Sequence, residues 1–331
     1  MVKRGLVTVA LIGLAFTAWY LMLPEPPPGA SVRIQIERGT TVGDLGIILE
    51  DGGVISNKLL FGLVLKYEGV DDRILPGSYV FKEGISAAKA VTILRNGPRR
   101  TVFKVTIPEG FTVRQIAKRV GAETVLDPEL FLDLAEEGRE DFADAHPFLA
   151  GTEVPGLEGY LFPKTFIFDD KTTEAQLIGI MLDQFSKEIV GLKPSPLDAG
   201  QRPLHEIITI ASLIEEEARV PEERGLISAV IHNRLRIGMS LQIDATVQYA
   251  LPAGKERLKK RDLEVDSPYN TYKRRGLPPG PIASPGLASI KAAMAPADVD
   301  YLYYVLTDPK KGAHSFTRSY DEFLEFKRGT R

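Results

Sequence analysis

Three consecutive glutamates, residues 215–217, are the side chains in this sequence that are best placed for acid–base chemistry. They lie in IITIASLIEEEARV, whose apolar residues recur with the spacing of an amphipathic helix. On a helical wheel of about 100° per residue, Glu216 points to solvent, whereas Glu215 and Glu217 lie on the two shoulders of the apolar face. Partial burial raises the pKa of a carboxyl, as a general acid near neutral pH requires. Helix geometry therefore leaves Glu215 and Glu217 as candidate acids, and the plainer alternative is a charged, solvated helix face.

A second group of polar side chains follows in SLQIDATVQY, residues 240–249. Apolar and polar residues alternate here, so an extended segment would direct Gln242, Asp244 and Thr246 to the same side. These side chains would form either the solvent face of an edge strand or a row of hydrogen-bonding groups along a groove for a polar polymer.

Two further segments are rich in aromatic residues, glycine and proline, which does not suit a plain helix. The first, LEGYLFPKTFIF at residues 157–168, is either an edge strand that fills the core with rings or a sugar-stacking platform. In the second case Tyr160 and Phe162 would supply the platform and Glu158 a hydrogen bond. The other segment, residues 267–285, is too rigid and aromatic for a disordered linker and predicts an ordered loop over a site.

Composition narrows the chemistry that is available. The sequence has no cysteine, which excludes disulfides, thiolate nucleophiles and cysteine-ligated zinc. Its four histidines are far apart and form no HExxH pattern, so we expect no metal and no cofactor. The net charge of -3 gives no reason to expect nucleic-acid binding. A chain of 331 residues corresponds to about two domains.

The N-terminus carries the signal of a membrane anchor. Residues 5–23 contain no charged side chain and would span about 28 Å as a helix, close to the thickness of a bilayer core. Lys3 and Arg4 before it are expected to stay in the cytoplasm, which places the rest of the chain outside. A cleaved signal peptide is the alternative, but no A-x-A-like site precedes LPEPPPG. The prediction is a cytoplasmic N-terminus at 1–4, a transmembrane helix at 5–23 and a proline-rich spacer at 24–30.

The remaining chain predicts an α+β fold in two parts. Residues 31–98 contain strand-like VRIQI and a helix that Thr40 or Thr41 can cap, and they form a small α/β module. VTIPEGFTVRQIAKRV, from Val105, repeats the pattern of IQIERGTTVGDLGIIL, from Ile34. The first copy with its following helices resembles the LysM-like modules that bind cell-wall glycan. Residues 99–331 form the predicted mixed α+β catalytic domain.

Seven motifs in residues 157–316 together resemble one family. They are LEGYLFPKT, ASLIEEE, HNRLRIGMSLQIDATVQY, SPYNTY, GLPPGPIASPG, LYYVL and GAHSF. In this order they resemble the endolytic murein transglycosylases, also called YceG-like proteins. Lys164 departs from the family pattern, in which we expect an aspartate.

The resemblance implies a catalytic residue and a substrate. The last glutamate of the ASLIEEE motif, Glu217, would be the catalytic acid and then the base. The substrate would be the glycan strand of peptidoglycan, cut internally between N-acetylmuramic acid and N-acetylglucosamine to leave anhydromuramic ends. The residues expected to bind the sugar or orient Glu217 are Glu158, Tyr160, Ser212, Gln242, Asp244, Asn270, Tyr272 and His314.

The resemblance also implies a location and partners. The enzyme would be a single-pass protein of the cell (inner) membrane with its catalytic domain outside the cytoplasm. There it would help to terminate nascent glycan strands and would meet cell-wall synthesis enzymes such as a glycan polymerase. Two alternatives remain: a non-catalytic, membrane-tethered glycan-binding scaffold, and a hydrolytic muramidase in which Asp244 is the second carboxylate.

Overall fold

The structure is a computed structural model that describes residues 29–70, 74–98, 101–150, 154–189, 192, 202–252 and 258–329. The chain forms two compact units that divide between Thr101 and Val102, where we expected a boundary at residue 98. The predicted transmembrane helix at 5–23 lies outside the described residues, as do the predicted cytoplasmic segment 1–4 and residues 24–28 of the spacer. Among the helices that the structure does describe, none has the length and apolar character needed to cross a membrane.

The first unit packs three helices against a two-stranded antiparallel sheet. Its elements are β1 (Ser31–Ile36), α1 (Val42–Asp51), α2 (Lys58–Glu68), β2 (Gly77–Lys82) and α3 (Ala87–Arg95). The side chains of Thr41, Asn57 and Ser86 each accept a backbone N–H bond at the start of the next helix, which satisfies one of its free donors. The unit has its own core, built around Leu49, Phe61, Leu65, Tyr79 and Phe81.

The second unit combines helices with two separate antiparallel strand pairs. Its sheets pair β3 (Val102–Thr106) with β4 (Thr165–Asp169), and β5 (Tyr303–Asp308) with β6 (Ala313–Thr317). Its α-helices are α4 (Val113–Glu123), α5 (Pro128–Glu137), α6 (Arg139–Ala143), α7 (Glu174–Ile189), α8 (Leu204–Glu217), α9 (Arg224–Arg236), α10 (Asp244–Ala250), α11 (Leu287–Met294) and α12 (Tyr320–Gly329). Short 3₁₀ helices cover Pro147–Leu149, Pro221–Glu223 and Lys260–Glu264. This mixture of helices and small sheets confirms the predicted α+β class.

Helix α8 runs through the core of the second unit. All of its residues from Ile207 to Ile214 are buried, including the polar Thr209 and Ser212. It is therefore enclosed on all sides by its neighbours, including α9 and α11, instead of having one solvated face along its length. The helix ends at Glu217, and the backbone becomes extended at Ala218.

The segment 240–249 differs from the predicted extended strand. Asp244–Ala250 is the helix α10, and the residues before it form an irregular turn. Gln242 lies in this turn with φ of +51°, the only positive φ of a non-glycine residue in the described parts of the chain. Gln242 and Asp244 are exposed, whereas Thr246 is buried with its hydroxyl 2.9 Å from that of Thr271. The three side chains therefore do not form one row.

Candidate active site

Glu217 lies at the end of α8 with one carboxylate oxygen already in a hydrogen bond. The hydroxyl of Tyr304, on β5, donates to Oε2 of Glu217 at 3.1 Å. Burial raises the pKa of Glu217, and the charge of Asp244 raises it further. The Tyr304 hydrogen bond and the positive charges of His314 and Arg219 act in the opposite direction. Because burial dominates, Glu217 keeps its proton to a higher pH than a free glutamate.

The other two glutamates of the run have different surroundings. The Glu215 side chain is only 9% exposed; it accepts the N–H of Gly286 at 2.9 Å and lies 3.9 Å from Nη2 of Arg224. Gly286 is the N-cap of α11, so Glu215 joins the ends of two helices. Glu216 is exposed as predicted, although desolvation of its carboxyl and repulsion from Glu215 and Glu217 raise its pKa to about 7. Glu215 therefore accepts a hydrogen bond that links two helices, whereas Glu217 accepts a hydrogen bond from the hydroxyl of Tyr304.

A carboxylate–histidine pair lies behind Tyr304. Glu223 accepts two hydrogen bonds from His314: one from the backbone N–H at 2.8 Å and one from Nδ1 at 2.7 Å. The imidazole meets the Tyr304 ring edge-on, with centroids 5.5 Å apart and planes at 86°. Sequence reasoning named His314 but missed Tyr304 and Glu223. The signal for Tyr304 was the placement of LYYVL and GAHSF in neighbouring strands, whose register only the structure provides. Glu223 lies in the 3₁₀ helix Pro221–Glu223, and no local pattern marked it.

Asp244 and Tyr272 form a second polar pair that acts on Glu217. The hydroxyl of Tyr272 donates to Oδ1 of Asp244 at 2.5 Å. Burial, with the hydrogen bond and charge of Asp244, raises the pKa of Tyr272, and the charge of Glu217 adds to this effect. The structure thus brings Asp244 and Tyr272 into the surroundings of Glu217. Gln242 is exposed two residues before Asp244.

Arg234 joins the two segments that flank Glu217. This buried guanidinium donates from Nε to the carbonyl of Leu302 at 2.6 Å and from Nη1 to that of Leu241 at 2.5 Å. Leu302 immediately precedes β5, which carries Tyr304, and Leu241 precedes the turn at Gln242. Burial lowers the pKa of Arg234, while the charge of Glu217 is among the influences that raise it. Sequence reasoning did not single out Arg234.

Ser212 and Asn270 hold the fold together and do not face a groove. The Ser212 hydroxyl donates to the Thr209 carbonyl at 2.7 Å and accepts the N–H of Ile282 at 3.1 Å. The fully buried Asn270 donates to the carbonyls of Leu263 and Val265. Their side chains fix the loop at 267–285, which is ordered as predicted.

Glu158 is also enclosed. Its carboxylate accepts the N–H of Val113 at 3.1 Å, at the start of α4, and the hydroxyl of Tyr249 at 3.3 Å. Burial raises its pKa to about 8 against the effect of these hydrogen bonds. These partners give Glu158 a role in joining α4 to α10.

The predicted aromatic platform is wrong, because both of its rings lie in the core. Tyr160 and Phe162 are 1% and 6% exposed, which leaves no face for a sugar ring. The Tyr160 hydroxyl donates to Nδ1 of His205 at 2.9 Å, since Nε2 of the same imidazole donates to a carbonyl. Lys164, which stands where the family pattern has an aspartate, forms an ion pair with Glu188 at 3.1 Å. Within the described part of the chain, no three His, Asp or Glu side chains are grouped as metal ligands.

The fold and site define an α+β protein in which the Glu217 carboxyl has a raised pKa and interacts with Tyr304 and Tyr272. The chain belongs to the YceG-like family, whose model matches residues 34–328. A Bacillus subtilis (strain 168) protein is 35% identical over 324 residues, which cover 94% of this chain and 89% of that protein. A Streptococcus pneumoniae (strain R6) protein is 33% identical over 298 residues, which cover 83% of this chain and 54% of that protein. Both relatives are named endolytic murein transglycosylase.

A solved structure is also similar. The crystal structure of a YceG-like protein from Listeria monocytogenes is 33% identical in sequence and superposes with a TM-score of 0.62. The match covers 90% of this chain and 99% of that one.

Proposed function

We propose that this chain is an endolytic lytic transglycosylase that cuts the glycan strands of peptidoglycan between N-acetylmuramic acid and N-acetylglucosamine. The observation that carries the proposal is the buried Glu217 carboxyl, whose pKa is raised and whose second oxygen is held by Tyr304. The name that the relatives share supplies the substrate class. Burying a carboxyl is costly. Glu158 and Glu215 accept backbone N–H groups that link helices, whereas Glu217 accepts a tyrosine hydroxyl, which favours a catalytic role over that of a scaffold.

One carboxyl is enough for this reaction. Protonated Glu217 donates its proton to the glycosidic oxygen, and the bond from that oxygen to the anomeric carbon breaks. The resulting carboxylate then takes the proton of the muramic acid's own primary hydroxyl, whose oxygen bonds to the anomeric carbon. The product is an anhydromuramic end, and no water is consumed. Because the nucleophile belongs to the same sugar, the attack has the entropic advantage of an intramolecular reaction.

A hydrolytic muramidase is the second candidate, and Asp244 is the observation that favours it. Hydrolytic glycosidases generally use two carboxylates, and Asp244 is near enough for its charge to raise the pKa of Glu217. In the lytic reaction the charge of Asp244 has a different role, since it raises the pKa of Glu217 in addition to burial. The two candidates differ in their product, because hydrolysis leaves a reducing end instead of an anhydromuramic end.

The test compares two neighbouring substitutions on uncrosslinked glycan strands. Glu217→Gln removes the transferable proton and is expected to lower the formation of anhydromuramic ends by about 10⁴-fold or more, since one residue serves both proton transfers. Glu216→Gln, on the exposed side, is the matched control and should cost little. Mass spectrometry of the products measures both. A folded Glu217→Gln enzyme with near wild-type rate would rule out this assignment, and reducing ends from the wild type would make Asp244 the next residue to mutate.

We also propose that residues 5–23 anchor the enzyme in the membrane with its catalytic unit outside, where it cuts nascent strands and so helps to end their elongation. The support is the uncharged stretch behind Lys3 and Arg4. The test replaces residues 1–23 by a cleavable signal peptide. The released protein should leave the membrane fraction and still cut purified peptidoglycan, but it should no longer shorten newly made strands. If it stays in the membrane fraction or shortens strands as before, anchoring does not have this role.

A further inference from the structure

We infer that Tyr304 is a second catalytic residue, which holds one oxygen of Glu217 through both proton transfers, and that Glu223 and His314 are positioning residues that fix Tyr304 there. This inference rests on the proposed function, because it assigns partners to the acid of that reaction.

The two carboxylate oxygens of Glu217 have different roles: one accepts the hydrogen bond of Tyr304 and the other carries the transferable proton. Oε2 accepts the Tyr304 hydroxyl at 3.1 Å, so one of its lone pairs is engaged by this donor, whereas Oε1 has no hydrogen bond to Tyr304. The transferable proton is therefore assigned to Oε1. In the first step this proton moves from Oε1 to the glycosidic oxygen as the bond to the anomeric carbon breaks. In the second step the proton of the muramic primary hydroxyl moves to Oε1 as its oxygen bonds to the anomeric carbon.

The hydrogen bond from Tyr304 changes in strength between these steps. It is weak to the neutral carboxyl and becomes charge-assisted when Glu217 is a carboxylate. It therefore stabilises the state that follows proton donation more than the state that precedes it, which is the condition for accelerating the step. Tyr304 itself stays protonated throughout, because burial and the charge of Glu217 raise the pKa of its hydroxyl.

Glu223 fixes the strand pair that supplies this donor. Its two oxygens accept the backbone N–H and the Nδ1–H of His314, so both the main chain and the ring of that residue are held. The held imidazole packs edge-on against the Tyr304 ring. On the same face, Phe316 lies opposite Tyr304 in the strand register, with ring centroids 5.9 Å apart. Glu223 follows Glu217 by six residues. The segment that begins at the end of α8 therefore also holds the strand pair β5–β6, which carries Tyr304.

Other charged groups act on Glu217 from the elements around it, and their effects oppose one another. Asp244 raises the pKa of Glu217, whereas Tyr304, His314 and Arg219 lower it. Among the described residues, Glu216, Tyr272 and Arg234 also interact with the charge of Glu217. Removing the Tyr304 hydroxyl is therefore expected to move the titration of Glu217 upward, in the direction that Asp244 and burial already favour.

The first test is Tyr304→Phe, with Tyr303→Phe as its matched control. Tyr303 lies on the other face of the same strand, where its ring packs near Tyr320 and Phe323. Loss of a hydrogen bond to a charged group predicts a roughly 10- to 100-fold slower formation of anhydromuramic ends in Tyr304→Phe. The high-pH limb of its pH–rate profile should also move upward. Tyr303→Phe should change neither. The inference would be overturned if a folded Tyr304→Phe enzyme formed anhydromuramic ends at the wild-type rate and kept the high-pH limb of its pH–rate profile at the wild-type position.

The second test addresses the positioning pair through the titration of Glu217 itself. Carboxyl ¹³C NMR can follow Glu217 in wild type, Tyr304→Phe and Glu223→Gln, whether or not the protein is active. Both variants should titrate at higher pH than wild type, and Glu223→Asp should restore part of the difference that Glu223→Gln causes. Unchanged titration in Tyr304→Phe would overturn the inference even if the wild type is active. If the wild type forms no anhydromuramic ends but Glu217 shifts as described, the proposed reaction fails and the catalytic role of Tyr304 fails with it, while the hydrogen bond from Tyr304 to Glu217 stands.

Discussion

Buried carboxyls in the second unit differ in the partners that surround them, and these partners decide what each can do. Glu158 and Glu217 both have a raised pKa because burial disfavours the charged form. Glu158 is satisfied by a backbone N–H and a tyrosine hydroxyl that join two helices, and Glu215 is likewise bonded to a helix terminus. Glu217 instead accepts the hydroxyl of Tyr304 from the strand β5, and the charge of Asp244 raises its pKa.

Glu158 should make the protein less stable as the pH rises. Its folded-state pKa of about 8 exceeds the ordinary glutamate value of 4.5, so the native state binds a proton that the unfolded state has lost. The stabilisation from this group is complete below pH 4.5 and declines as the pH rises to about 8. At about 1.4 kcal/mol for each unit of pKa shift, the free energy of unfolding changes by about 5 kcal/mol at most.

The Glu158→Gln variant measures this effect. It should flatten the fall in unfolding free energy between pH 5 and 8, and near pH 8 it should be more stable relative to wild type than it is near pH 5. Urea unfolding followed by circular dichroism at several pH values gives the comparison. Glu137→Gln, at an exposed position of the same unit, is the control and should follow the wild-type curve. A Glu158→Gln curve parallel to wild type would show that Glu158 is ionised in the native state.

At the scale of the elements, local signals predicted helices well where caps and apolar runs agree. Thr41 caps α1 as one of the two expected residues, and the segment with Glu215–Glu217 is a helix. The apolar alternation after residue 240 was ambiguous, because Ile243 and Val247 also have the spacing of one helix face. The hydroxyl contact between Thr246 and Thr271 joins residues 25 apart in sequence, and no local pattern contains such a partner.

The site itself was predictable only in part, for the same reason. The helical wheel could reduce three glutamates to two, but the partners that distinguish them, Gly286 and Tyr304, come from distant segments. Tyr304 faces Glu217 because β5 and β6 pair in one particular register. This register cannot be predicted from the sequence alone. The burial of Tyr160 likewise depends on neighbouring rings such as Phe185 from α7.

At the scale of the whole molecule, the residues that the structure describes form two separate hydrophobic cores. One is confined to the unit that precedes Val102, and the other contains α8 and the strand pair β3–β4. All the groups assigned to the reaction belong to the second unit. This arrangement predicts that the chemistry resides in one unit. We propose that the first unit is a LysM-like module and that it contributes glycan binding.

Residues 102–331 alone are therefore expected to fold and to cut glycan. The second unit buries its own core, so its circular dichroism and cooperative unfolding should persist without the first unit. Its rate on short, uncrosslinked strands should stay close to that of the chain from residue 29, because every residue around Glu217 is present. On intact peptidoglycan the shorter chain should be slower, and residues 29–101 alone should sediment with that polymer without cutting it. An unfolded 102–331 chain would show that the two units depend on each other for stability, and equal rates on intact peptidoglycan would remove the glycan-binding role of the first unit.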